Sequence, residues 1–428
     1  MKSQVILDYQ LATGRVGYAV RALLKFEGDA AQSEGKVPLN LSLVLDRSGS
    51  MGGEKMEYAR QAAAFLVRRL RPFDVVSVVA FDDQVTTVAE PATGEGQAGL
   101  PAEIERIDVG GSTNLSGGWL RGRELVSRQV VAGETGAKPD RAAVNRVILL
   151  TDGQANVGIT DPSRLRGLCG RALEDGVTTS TVGFGADYDE DLLRSMSEAG
   201  GGHSYYIENP DQAPGVFEEE IEGLLSLAAQ NIEVKVKPEQ TVELVNVYND
   251  YPNHGGPDGI TVTLGDLYAR DPKSLLIEFF VPGIEALGDR NIAEIIVTAD
   301  VINADGSVER QAIRIPVAAS LSAEGAQEPE IQRTKVLLDA AKAREEARER
   351  GRRGDFNGAA AVLREAGVKC QVMPGMWEQG EDLEAMALKY SNQDISPADE
   401  KYLFQRAYNA RRGKQVYEEK ISRSRKSK

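Results

Sequence analysis

Between about residues 38 and 230, short apolar runs that stop at an aspartate alternate with stretches whose apolar residues recur every three or four positions. Leu41-Ser-Leu-Val-Leu-Asp46 is short and leads straight into a Ser/Gly turn, so it predicts a buried strand of a parallel sheet that delivers Asp46 to the sheet edge. From Glu54 to Leu70 the residues Met56, Ala59, Ala63, Leu66, Val67 and Leu70 share one face, which predicts an amphipathic helix. Asp46, Ser48 and Ser50 therefore line a strand-to-helix loop, the place where open α/β sheets bind their ligands. The alternation continues with a strand over Val75–Phe81, a hairpin to Val85–Val88, and helices over Leu100–Ile107 and Leu115–Val130. Val147-Ile-Leu-Leu-Thr-Asp152 is a second strand ending in aspartate. A helix over Asp161–Leu173, a strand over Val177–Gly183, a helix over Asp189–Ala199, a strand over His203–Ile207 and a closing helix over Gln212–Ala229 follow. Strands alternating with helices in this way predict a doubly wound, mostly parallel α/β sheet, Rossmann-like in layout.

The flanking segments have a different texture. Gln4–Leu11 and Gly17–Phe26 read as strands, as do Ile232–Val236, Val242–Val247, Ile260–Leu264, Ser274–Val281, Ala293–Val301 and Ala312–Val317, separated by turn signals. Together they predict an all-β sandwich into which the α/β domain is inserted, an arrangement that needs the inserted ends to lie close together. The alternative is an N-terminal hairpin packed elsewhere. Glu330–Arg350, with abundant Lys, Arg and Glu, reads as a surface helix with ion-pair spacing. Helices over Phe356–Ala366, Asp382–Tyr390 and Pro397–Arg412 follow, the last with Ser396 as cap and Pro397 in the first turn. The expected divisions are 1–37 and 231–320 for the sandwich, 38–230 for the α/β domain, 321–412 for a C-terminal α-helical region, and 413–428 for a basic, disordered tail.

Composition narrows the function classes. A net charge of −15 over 428 residues opposes nucleic acid as a partner. The first twenty residues lack a signal-peptide pattern, and no run of about twenty apolar residues predicts a membrane span. Cys169 and Cys370, far apart, read as reduced thiols, which with the missing signal gives a cytoplasmic expectation.

The candidate chemistry lies at the strand ends. Asp46, Ser48 and Ser50 offer one carboxylate and two hydroxyls, an oxygen-only set suited to a hard divalent cation that keeps part of its water shell. Asp, Ser and Gly are equally the residues of turns and caps. Two further stretches shift the balance: Gly110-Gly-Ser-Thr-Asn114, which presents Thr113 ahead of a helix, and the strand end at Asp152. In order and spacing, Asp46-Arg-Ser-Gly-Ser50, the Thr113 loop and Leu149-Leu-Thr-Asp-Gly153 resemble the metal-ion-dependent adhesion site (MIDAS) of von Willebrand factor A (vWA) domains.

The resemblance covers about Pro38 to Gln230 and is closest to bacterial multidomain proteins of this type. It implies that Ser48 and Ser50 ligate the metal directly, that Asp46 does so directly or through water, and that Thr113 and Asp152 exchange direct and water-mediated roles. The implied cation is Mg2+, or Mn2+ or Ca2+, with a protein partner's Asp or Glu carboxylate completing its shell. The function so implied is divalent-metal-dependent protein binding without catalysis. A second reading makes the chain a subunit serving an AAA+ (MoxR-type) ATPase chaperone, and a third an extracellular adhesin.

Enzyme readings find little material. A magnesium-dependent phosphotransferase commonly carries a second carboxylate two residues after its aspartate, where this chain has Ser48. There is no Walker loop, zincin helix or nucleophile elbow. His203 and His254 are the only histidines, which leaves little for a histidine site. Trp119 reads as a packed helix residue ahead of a ligand rim, and Asp82 and Asp83 as turn residues ahead of neighbours of the metal edge.

Overall fold

The computed structural model describes residues 1–12, 16–28, 38–131, 144–152, 155–184, 188–207, 215, 223, 226–269, 272–283, 288–303 and 307–411. The chain forms two compact units, one of Met1–Asp29, Asn231–Ala299 and Arg310–Lys428, the other of Ala30–Gln230 with Asp300–Glu309.

The chain opens with β1 (Lys2–Leu11) and β2 (Gly17–Glu27), an antiparallel pair. The α/β unit follows with β3 (Leu39–Asp46), α1 (Glu54–Arg69), β4 (Val75–Phe81), β5 (Val85–Ala92), α2 (Leu100–Glu105), α3 (Leu115–Val131), β6 (Val144–Thr151), α4 (Pro162–Glu174), β7 (Val177–Phe184), α5 (Glu190–Ala199) and β8 (Gly201–Ile207). Its six strands run in the order β5-β4-β3-β6-β7-β8, parallel except for β5. Every residue of β3, β6 and β7 is buried, as expected of a parallel sheet covered on both faces. Val44, Val147 and Leu149 pack on one face beneath Leu115, Trp119 and Val126 of α3 and Leu165 and Cys169 of α4. Helix α3 lies close because Gly118 and Gly122 carry no side chain. A Cβ on Gly122 would fall 2.4 Å from Val44 Cγ2, and one on Gly118 2.4 Å from Phe81 Cδ1. The connection from β3 leads to β4 on one side, and β6 then pairs on the other, so the strand order reverses beside β3. Such a reversal, at the carboxyl ends of β3 and β6, is where open α/β sheets place their ligands.

The remaining strands are β9 (Leu227–Pro238), β10 (Glu243–Val247), β11 (Asn253–Gly256), β12 (Gly259–Tyr268), β13 (Lys273–Pro282), β14 (Gly288–Ile302) and β15 (Val308–Leu321). They form two antiparallel sheets in the orders β1-β2-β13-β10 and β11-β12-β9-β14-β15. The N-terminal hairpin is thus built into a sheet with later strands: Leu23 of β2 lies opposite Leu276 of β13. Helices α6 (Pro329–Arg352), α7 (Phe356–Val372), α8 (Trp377–Ser391) and α9 (Pro397–Arg411) complete the unit. Leu23 and Leu276 pack with Tyr248 against Ile331 and Leu338 of α6. On the same face a polar network is buried: Arg21 donates to Asp8 at 3.2 Å and to Glu278 at 2.9 Å, Gln332 to Asp8 at 2.7 Å, and Tyr248 to Glu278 at 2.9 Å.

Two expectations change, and one strand was not expected. The helix expected over Gln212–Ala229 is not one to its end, because Leu227, Ala228 and Ala229 begin β9, where alternate burial from Ile232 onward makes the extended pairing the better use of the apolar residues. Most of its earlier part lies outside the described residues, as do 413–428. Helix α6 is no surface helix. It buries Ile331, Leu338, Ala341, Arg344, Ala347 and Arg348, because its short alanines admit neighbours on more than one side. Strand β11, rich in glycine and fully exposed, was hidden by its lack of apolar residues.

Candidate metal centre

Asp46 ends β3, and Asp152 directly follows β6, its neighbour in the sheet. Both side chains are buried, Ser48 and Thr113 are nearly so, and Ser50 is exposed, so the cluster opens on the Ser50 side. The two hydroxyls at alternate positions meet, with Ser48 Oγ 3.2 Å from Ser50 Oγ. Ser50 Oγ donates to Asp152 Oδ1 at 2.8 Å, which joins the two strand ends. Asp46 accepts from the Ser48 amide at 2.8 Å and from the Thr151 hydroxyl at 2.5 Å. Four of the five residues singled out in the sequence are therefore linked directly.

The fifth, Thr113, is placed by its loop. The Gly110 amide donates to the Arg47 carbonyl at 2.6 Å and the Gly49 amide to the Gly111 carbonyl at 2.9 Å, which ties the Thr113 loop to the Ser48–Ser50 turn. The Thr113 carbonyl accepts from the Asn156 and Val157 amides, at 3.1 Å each. Its hydroxyl makes no hydrogen bond to the other four residues.

Burial raises the Asp46 carboxyl above its usual range, and the neighbouring Asp152 charge adds to the rise against the pull of the Ser48 and Thr151 hydrogen bonds. A buried carboxylate pair of this kind needs a positive counterpart. Among the described residues no group of three or more His, Cys, Asp or Glu comes together. The donor set is instead two carboxylates and three hydroxyls, all oxygen. That set fits a hard divalent ion keeping part of its water shell, and it does not fit a zinc cage of thiolates and imidazoles.

Two residues matter more than sequence reasoning allowed. Asp82 is the turn residue the sequence suggests, in the bend between β4 and β5, and it is a hub as well. Its carboxylate accepts from the Gln84 amide at 2.8 Å and the Gly111 amide at 3.3 Å, and pairs with Arg47 at 3.2 Å, while its carbonyl takes the Asn114 amide at 2.8 Å. Burial works against its charge, but those amides and the Arg47 guanidinium hold its carboxyl below the usual range. Lys55, which the sequence places only in the first turn of a helix, donates to Asp152 Oδ2 at 2.5 Å. The signal available was its position five residues after Ser50, at the start of α1. Trp119 is wholly buried and donates to Thr179 Oγ1 at 3.1 Å, which makes it a packing residue.

Comparison with known proteins agrees with this architecture. An uncharacterised protein of Synechocystis sp., sll0103, is 28% identical over 377 residues, covering 85% of this chain and 86% of that protein. The uncharacterised Escherichia coli protein YfbK is 30% identical over 221 residues, covering 51% of this chain but only 37% of its own length. A solved structure described as von Willebrand factor type A from Catenulispora acidiphila superposes with a TM-score of 0.67 at 16% identity, over 89% of this chain and 88% of that one, and so shares the fold. The family model of the von Willebrand factor type A domain matches residues 40–219, which take in both strand ends, the Ser48–Ser50 turn and the Thr113 loop: the chain carries a von Willebrand factor type A domain.

Proposed function

We propose that this chain is a divalent-metal-dependent protein-binding protein whose A domain captures an acidic side chain of a partner at Asp46, Ser48, Ser50, Thr113 and Asp152. Domains of this type commonly serve protein interaction and adhesion. The observation that carries the reading is the bond from the exposed Ser50 hydroxyl to the buried Asp152 carboxylate, which brings oxygen donors from two separate strand ends to one open edge. A bound Mg2+ or Mn2+ would supply positive charge at that edge for a carboxylate from outside. The chain's own residues do the positioning. Asp46 fixes the turn through the Ser48 amide, Asp82 fixes the Thr113 loop, and the three neutral hydroxyls add no negative charge to that of the two carboxylates.

Thermal melting of the wild type and Asp46→Ala, in chelator and with added magnesium or manganese, tests the site, because an ion that binds the folded state alone raises the melting temperature. A rise in the wild type that is absent from the variant is expected. No rise in the wild type at saturating metal would overturn the proposal. A chelator-sensitive pull-down then identifies the partner.

A further inference from the structure

Lys55 is the second residue of α1, a position where the aligned amide dipoles of a helix disfavour positive charge. Its ammonium nevertheless sits on Asp152 Oδ2 at 2.5 Å, and 3.4 Å from the Ser50 carbonyl oxygen. The Asp152 side chain is wholly shielded from solvent, whereas that of Lys55 is 31% exposed. The asymmetry is informative. If the pair separates, the ammonium swings into water on a flexible four-carbon stem, but the carboxylate stays buried. Asp46 has neutral donors on both its oxygens, the Ser48 amide and the Thr151 hydroxyl. Lys55 is therefore the one cation hydrogen-bonded to either carboxylate among the described residues.

We infer that Lys55 is a tethered monocation that pairs with Asp152 in the metal-free form of the site and yields it when a divalent ion binds, so that this lysine sets the affinity of the site for metal. The inference rests on the metal-binding reading above and adds to it a competitor built into the chain. Both oxygens of Asp152 are engaged, Oδ1 by the Ser50 hydroxyl and Oδ2 by the ammonium. Drawing Asp152 into a metal's shell, directly or through water, therefore costs the exchange of this pair, and the apparent affinity falls by that cost. The domain gains a folded metal-free state in which no buried carboxylate of Asp152 is left without a counter-charge.

The test is calorimetric titration of the full chain with magnesium chloride, together with melting in chelator, on the wild type, Lys55→Met and Lys55→Gln. The glutamine variant keeps a hydrogen-bond donor without the charge and serves if the methionine variant folds poorly. In chelator both variants melt below the wild type, and in the titration they bind magnesium about tenfold or more tightly, as expected when a competing ion pair is removed. A lysine that only braces α1 would lower melting equally with and without magnesium and leave the affinity unchanged or weaker. That result overturns the inference and leaves the metal site standing. Absence of magnesium binding in the wild type and in both variants overturns the site and the inference together.

Discussion

The Asp82 carboxylate occupies the space a side chain on Gly110 would need: a Cβ there would lie 1.8 Å from Asp82 Oδ2, and one on Gly111 2.1 Å from Asp83 Oδ1. The two glycines of the Thr113 loop are thus fixed by the acidic pair at the end of β4. Asp82 cannot step aside cheaply, since Gln84, Gly111 and Arg47 all hold it. Gly110→Ala should cost about 1–3 kcal/mol of stability through overpacking. It should also weaken any magnesium-dependent rise in melting temperature, since it displaces the Thr113 loop. Urea unfolding with and without magnesium reads both effects.

Asp82 also makes the loop sensitive to acid. Its carboxyl is held below its ordinary value of 3.8, so the folded state favours the charged form. The stabilisation is fully present above that value and is lost as pH falls through the lower folded-state pKa. Asp82→Asn should therefore cost roughly 1–3 kcal/mol near neutrality, with the gap to wild type closing below about pH 4. A gap that stays constant down to acid pH would show that the charge of Asp82 contributes nothing. Denaturant midpoints across that range measure it.

Cys169 lies in the core on the inner face of α4, and burial pushes its thiol up to about 12 against a hydrogen bond with Thr179. The reactive thiolate is therefore nearly absent near neutral pH. Iodoacetamide at about pH 8 should leave the Cys169 peptide unmodified in the folded protein and label it once urea is added. Mass spectrometry of the digest distinguishes the two, and labelling of the folded chain would show that α4 opens readily.

Arg344 is wholly buried in α6, yet its Nε and Nη1 have no hydrogen-bond partner among the described residues. Nη2 reaches Gln379 at 2.8 Å and Asp382 at 3.2 Å. Asp382 has other partners, Tyr402 at 2.7 Å and Arg406 at 3.8 Å. Arg344→Met should then change stability by less than about 1 kcal/mol, or raise it, because it removes unpaired donors without orphaning the carboxylate. A loss of about 3–5 kcal/mol in urea unfolding would mean that Asp382 depends on Arg344 for its charge.

The parts of the site that were legible in the sequence are those whose chemistry and local structure coincide. Asp46 and Asp152 end wholly apolar runs, so the same residues that declare a buried strand also declare where the carboxylate emerges. Lys55, Asp82 and Thr151 were not legible in that way. Lys55 acts on a residue 97 positions away, and Thr151 reaches Asp46 across 105, distances that only the β3–β6 pairing closes. Asp82 looks like any acidic turn residue until Gly110 and Gly111 are laid against it and its neighbour. The same reason explains α6. Its alanines and arginines show no apolar stripe, and what they touch is decided by a sheet and helices elsewhere in the chain.

The pairing of β2 with β13 has a consequence for the newborn chain. Ala22 finds its neighbour Ile277 roughly 250 positions later. At a synthesis rate of about 5–20 residues per second, the β1–β2 hairpin waits on the order of tens of seconds on the ribosome with one flank unmet. Over that interval the alternating apolar positions of β2 offer an open backbone edge to any passing strand. The nascent chain is thus most exposed to aggregation before Pro282 is made, and a protein of this layout depends on how quickly translation delivers the strand that closes it.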